Sequence, residues 1–204
     1  MLQTAVRPLS AIDAIFTRRS VRSYSPQRLD RPTVQSLLDA AVQAPTAMHL
    51  EPWRFVVIQD RAALKRFSEV VKGHWGAEAP KYRELHAEGA DDAGRLFAER
   101  FASPDFNVFY DAGTLILVCA KPQGPFVAAD CWLAAENLML AASALGLGTC
   151  CIGSAIAALN TSAIKAALGV PADVEIVVPI IVGVPADEQP SPCTRKEPQI
   201  LSWR

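Results

Sequence analysis

The sequence predicts one domain in which helices are interleaved with a few buried strands. Three observations carry that expectation. The chain has 204 residues, half of them hydrophobic and 20% charged, which suits a single core of ordinary size. Three runs, RFVVIQ from Arg54, TLILVCA from Thr114 and EIVVPIIVGV from Glu175, are β-branched or continuously apolar. The segments between them place apolar residues at helical spacing.

Taken in order, Ala11 to Thr17 carries Ile12, Ile15 and Phe16 on a helical period. Asp30 and Pro32 mark the start of a second helix, with Val34, Leu37, Leu38, Ala41 and Val42 as its apolar stripe and Pro45 as its stop. Arg54 to Gln59 reads as a strand, and Asp60 caps a helix expected to reach about Val71. Residues 72–111 are the least legible part. Within them Tyr82 to Phe101 reads as a charged helix on a surface excursion, weakened by Gly89 and Gly94. Thr114 to Ala120 reads as a strand buried on both faces. A long helix from about Val127 to Leu145 should end at the Gly146–Gly148 turn, and a short one from Thr161 to Leu168 at Gly169 and Pro171. Pro179 inside the Glu175–Val184 run predicts an edge strand or a bulge. The tail, residues 185–204, is rich in proline and charge, yet it holds Ile200, Leu201 and Trp203, which argues for an arm docked on a body.

Composition excludes several classes. A formal net charge of -1 argues against a general nucleic-acid binder. Five cysteines without C-x-x-C spacing, and only three histidines, give neither a disulfide framework nor a zinc site. The vicinal pair Cys150–Cys151 reads as buried small hydrophobes, with a redox pair as the alternative. Residues 137–164 carry no charge, but Gly146, Gly148 and Gly153 interrupt them, so no membrane span is expected. Without a signal peptide pattern, the cytoplasm is the expected compartment. No G-x-G-x-x-G, P-loop or G-x-S-x-G motif is present.

Against this near-neutral background, Thr17 to Ser25 reads TRRSVRSYS, with Arg18, Arg19 and Arg22 close together. Three readings stay open: a solvated basic turn at a helix C-terminus, a phosphorylation site, or capture of a small anion by guanidinium forks and a serine hydroxyl. Capture needs a second donor set, and Arg195–Lys196 in the tail is the candidate. A chain with no nucleophile or metal of its own that binds a phosphate would borrow chemistry from a cofactor.

The segment Arg18 to Tyr24 resembles the N-terminal R-R-S-x-R-x-[FY] signature of the FMN-dependent nitroreductase family. Ala44 to Phe55, APTAMHLEPWRF, resembles its A-P-S-x-x-N-x-Q-P-W-x-F segment. Ala134 to Leu138 and Gly146 to Gly153 resemble its core helix and the G-L-G-x-x-x-x-G turn, and Arg195 to Pro198 its terminal R-K-x-P. The matches come in order and leave only about 72–111 unmatched. The resemblance implies an α+β fold, with a central mixed or antiparallel sheet flanked by helices, in an intertwined homodimer whose C-terminal extension wraps the partner. It implies FMN at the interface and NAD(P)H as reductant. Arg19, Ser20, Arg195 and Lys196 would hold the phosphate. Arg18 and Arg22 would reach the ribityl chain and the pyrimidine edge. Pro45, Thr46, Ala47 and His49 would come from the other subunit. Backbone N–H groups around Cys151, Ile152, Gly153 and Ser154 would lie near N5 and O4. No side chain is assigned as catalytic. The implied reaction passes hydride through flavin N5 to an electron-poor acceptor, a nitroaromatic, quinone or similar molecule, in ping-pong order. Its rivals are another reaction on the same flavin (dehydrogenation, dehalogenation or flavin breakdown) and a non-enzymatic protein that binds a phosphate or an acidic partner.

Three departures from the family pattern stand out. His49 replaces a frequent Asn and is expected to hydrogen-bond rather than to donate a proton. Glu51 replaces Gln and adds a carboxylate. Asp111-Ala112-Gly113 stands where Ala-Pro is common.

Overall fold

The computed structural model describes residues 9–85, 99–186 and 195–204. Helix α1 spans Ala11–Thr17, capped by the Ser10 hydroxyl, which accepts from Asp13 N–H. Helix α2, Arg31–Ala41, starts at the expected Asp30 cap but ends four residues before Pro45, in a turn closed by Ala44 N–H on Ala41 O. Strand β1 is Trp53–Ile58. Asp60 then accepts from the N–H groups of Ala62 and Ala63 at the start of α3, Arg61–Leu85. This helix overruns the expected end at Val71. Gly73 and Gly76 lower helix propensity, but Trp75 between them is fixed by tertiary contacts, which override it. The charged helix expected over Tyr82 to Phe101 falls largely on 86–98, outside the described residues; 99–102 are helical. Strand β2 is Thr114–Ala120, α4 Val127–Ala144, β3 Gly148–Cys151, α5 Ile156–Leu159, α6 Ser162–Leu168 and β4 Glu175–Gly183.

The four strands form one antiparallel sheet in the order β1-β2-β4-β3. Every residue of β2 is buried, as the unbroken apolar run requires. Alternate residues serve two cores. Ile116, Val118 and Ala120 face α2 and α4, with Leu37, Ala134 and Leu138. Leu115, Leu117 and Cys119 face the other layer, with Val71, Phe109 and Leu159. Strand β4 is central, so the edge position expected from Pro179 is not what occurs. The bulge is: pairing with β2 jumps from Val178 to Ile176 across Val118 and Cys119, and β3 stops at Ile180, one residue short of the proline. No described helix is long and apolar enough to cross a membrane.

Candidate functional site

The arginine segment leaves α1 and runs along the outer edge of β3. Ser20 bridges Thr149 in parallel, and Val21 N–H donates to Thr149 O at 2.9 Å. Further on, Ser25 N–H donates to Val184 O and Ala186 N–H to Ser23 O, with Tyr24 bridging Pro185. Close approach needs glycine opposite it. A Cβ on Gly148 would lie 2.7 Å from Val21 Cβ, and one on Gly183 would lie 3.0 Å from Tyr24. The Tyr24 hydroxyl donates to Val21 O at 2.8 Å, and burial raises its pKa above the ordinary tyrosine range.

Arg19 shows both a structural role and an unused capacity. Its Nη1 donates to Phe16 O and Arg18 O, at 3.0 and 2.6 Å, capping the end of α1 as a basic C-terminal residue can. Its Nε is buried without a hydrogen-bond partner. A buried donor left unmade is costly, and an anion beside Ser20 would satisfy it. Arg18 lies 3.7 Å from the Glu136 carboxylate on α4, while Arg22 Nη1 donates to Ser20 O at 3.5 Å and the guanidinium also meets the Cys150 thiol.

Beneath these arginines lie Cys150 and Cys151. Burial pushes up the Cys150 thiol, while Arg22, the Ser20 hydroxyl and Arg18 oppose that rise. Burial and the neighbouring Cys150 push the Cys151 thiol up to about 11. Cys151 Sγ sits 3.6 Å from Met139 Sδ. Protonated, partly buried thiols make poor redox nucleophiles, so the small-hydrophobe reading of the pair suits the structure better. After Cys151 the chain turns: Ile152 N–H donates to Pro179 O, and Gly153–Ala155 form a 3-10 turn. Gly153 and Ser154 open this turn, which leaves their N–H groups without an acceptor inside it. Trp75 Nε1 donates to Ser154 O at 2.7 Å and fixes the turn to α3.

The loop carrying Pro45, Thr46, Ala47 and His49 is built separately. Met48, His49 and Glu51 all adopt positive φ, at 54°, 54° and 43°, a costly conformation for residues other than glycine. Asp130, in the first turn of α4 and 4% exposed, holds the loop by accepting from Ala47 N–H at 3.2 Å; its second oxygen is buried and unpartnered. The Thr46 hydroxyl accepts from Glu51 N–H at 3.4 Å.

The structure therefore brings Arg18, Ser20 and Arg22 to Cys150 and Cys151 at the β3 edge, with Arg19 in the same segment, while Ile152, Gly153 and Ser154 follow in the turn after that strand. It does not bring the 45–49 loop to them. Asp130 and Glu136, which anchor the loop and Arg18, are separated by roughly 9 Å of rise and about 120° around α4. Arg195 and Lys196 are exposed, with no hydrogen bond or ion pair among the described residues. Sequence reasoning missed Asp130, whose signal was a carboxylate within an apolar helical stretch. It also missed Trp75 and Tyr110, which touch the site from the poorly legible region.

The comparisons with known proteins bear on the family and the fold. The sequence model of the Nitroreductase family matches residues 15–184. A 5,6-dimethylbenzimidazole synthase of Rhodospirillum rubrum is 32% identical over 201 residues, which cover 95% of this chain and 89% of that protein. An NADH dehydrogenase of Thermus thermophilus is 26% identical, over 92% of each chain. A crystal structure of a nitroreductase with bound FMN from Bacteroides fragilis matches with a TM-score of 0.71 at 27% identity, over 94% of this chain and 95% of that one. The match of the family model over residues 15–184 and the 32% identical relative, on a chain whose antiparallel sheet resembles that of the solved nitroreductase, show that this chain belongs to the nitroreductase family.

Proposed function

We propose that the chain is an FMN-dependent oxidoreductase that takes reducing equivalents from NAD(P)H and delivers them to an electron-poor acceptor such as a nitroaromatic or a quinone. One observation carries the reading. The arginine segment pairs with β3 at Thr149, two residues before the 151–154 turn begins, and the Arg19 Nε in that segment is buried without an acceptor. The donor set fits FMN: guanidinium and hydroxyl groups for a phosphate, and free N–H groups beside small residues for a flat ring. The NADH dehydrogenase named above and the FMN bound by the Bacteroides fragilis protein support the same choice of donor and cofactor.

FMN, when bound, supplies the hydride chemistry, from the nicotinamide to the acceptor in ping-pong order. The chain's own residues hold and polarise. Arg19 Nε and Ser20, with Arg195 and Lys196, bind the phosphate. Arg18 and Arg22 hold the ribityl chain and the pyrimidine edge, where a fixed cation offsets negative charge. The N–H groups of Gly153 and Ser154 serve the edge at N5 and O4. Thr46, Ala47 and His49, on a different face of α4, serve the site of a second copy in a homodimer. Exposed apolar groups support that copy: Ile12, Ile15 and Phe16 on α1, Trp132 and Leu133 on α4, and Leu201 and Trp203 in the tail.

The test is a titration of the purified protein with FMN, followed by anaerobic mixing with NADH and with NADPH. Stoichiometric uptake and rapid bleaching of the flavin by at least one nicotinamide are expected. A protein that stays colourless after addition of FMN overturns the reading. The similarity to a 5,6-dimethylbenzimidazole synthase favours a second reading, a different reaction on the same flavin; slow bleaching by both nicotinamides would select it.

A further inference from the structure

Four aromatic side chains link the two ends of the candidate site. Trp75, bonded to Ser154 O, meets Phe101 edge-on at 5.8 Å between ring centroids. Phe101 lies 5.4 Å from Phe106, and Phe106 lies 5.4 Å from Tyr110. The Arg22 guanidinium carbon is 6.0 Å from the Tyr110 centroid. The row thus runs from the 153–155 turn to the arginine segment. Onto its last two rings a second guanidinium is laid: Arg100 Cζ stands 4.7 Å from the Phe106 centroid and 5.0 Å from that of Tyr110.

Arg100 is exposed, and among the described residues neither it nor Arg22 has a carboxylate within ion-pair distance. The nearby Asp111 carboxylate accepts instead from Asn107 Nδ2 at 2.8 Å. Contact with ring faces steadies a guanidinium without using its N–H groups. Those donors lie in its plane, in the fork that matches a carboxylate bidentately. Two such cations on one ring, next to an aromatic wall, are suited to a flat molecule that bears a negative charge. With Arg22 turned to the flavin edge, a neutral acceptor would leave the Arg100 fork unused.

We propose that Arg100, which shares the Tyr110 ring with Arg22, binds the carboxylate of an aromatic electron acceptor and makes this site selective for anionic substrates. The inference rests on the oxidoreductase reading above and names the substrate class for it. Calorimetry on the flavin-loaded protein with benzoate and with benzamide, neither of which is a nitro compound or quinone, reads binding without turnover. Benzoate should bind about tenfold more tightly, as a charge-assisted pair gives. Arg100→Gln should abolish that preference, and Arg100→Lys should restore part of it. In turnover, Arg100→Gln should lower the ratio of kcat/KM for 4-nitrobenzoate to that for nitrobenzene by about tenfold. Equal binding of benzoate and benzamide by the unsubstituted protein overturns the proposal. So does a preference that survives Arg100→Gln, or a substitution that alters only the choice between NADPH and NADH, which would assign Arg100 to the dinucleotide phosphate. Failure to take up FMN would overturn the oxidoreductase reading instead, and the same calorimetry on the flavin-free protein would still decide whether Arg100 binds a carboxylate.

Discussion

A Cβ placed on Gly148 would lie 2.7 Å from Cβ, Cγ1 and Cγ2 of Val21. No real Cβ tolerates such contacts, so Gly148→Ala must push the arginine segment off the β3 edge. The expected cost is about 1–3 kcal/mol of stability, the range for overpacking, together with weakened FMN binding; chemical denaturation and a fluorescence titration check the two halves. Asp130 is the complementary case. Asp130→Ala leaves Ala47 N–H unpaired beside a loop with three left-handed residues, and should cost about 1–3 kcal/mol, with faster proteolysis within residues 46–51. The Cys151 thiol, pushed up to about 11 by burial, should alkylate slowly near neutrality, its rate rising with pH until that value is passed. Fast labelling at pH 7 would instead mark an activated thiolate. At this scale the sequence was partly legible. The arginines and glycines stood out by type and spacing, whereas Asp130 and Tyr110 take their meaning from groups far along the chain.

Elements with local signals were read well. The Asp30 cap, the Asp60 cap, and the stops at Gly146 and Gly169, with φ of 74° and 68°, all stand where the sequence put them, because each depends on a few neighbouring residues. Elements that depend on distant partners were not. The length of α3 is fixed by packing around Trp75, and the central place of β4 by strand order, which no short window of sequence encodes. The Asp30 cap also carries a pH dependence. Its carboxyl is held below the usual range by hydrogen bonds from Thr33. A lowered pKa in the folded state stabilises above the unfolded value, near 3.9, and that contribution is lost as pH falls through the folded value. Thermal melts should therefore show Asp30→Ala less stable than the unsubstituted chain at neutral pH, with the gap closing in acid. A gap that persists unchanged in acid would contradict the assignment.

The molecule as a whole leaves large apolar groups uncovered: Phe16 is 73% exposed, Trp203 86% and Leu201 99%. These are the groups the proposed second copy would bury, so Trp203→Glu with Leu201→Glu should favour monomers in sedimentation and weaken FMN retention together. Monomers that retain FMN unchanged would separate assembly from the site. The sheet that carries the site has two unequal borders. Ser20 and Val21 pair with β3 and occupy its carbonyl at Thr149, and the segment goes on to Pro185 at Tyr24, while β1 pairs only with β2 among the described residues. A bare border is a template on which another molecule's strand can add. The arginine segment thus covers one border against such addition, and clipping it away should yield a chain more prone to precipitate, which light scattering would read.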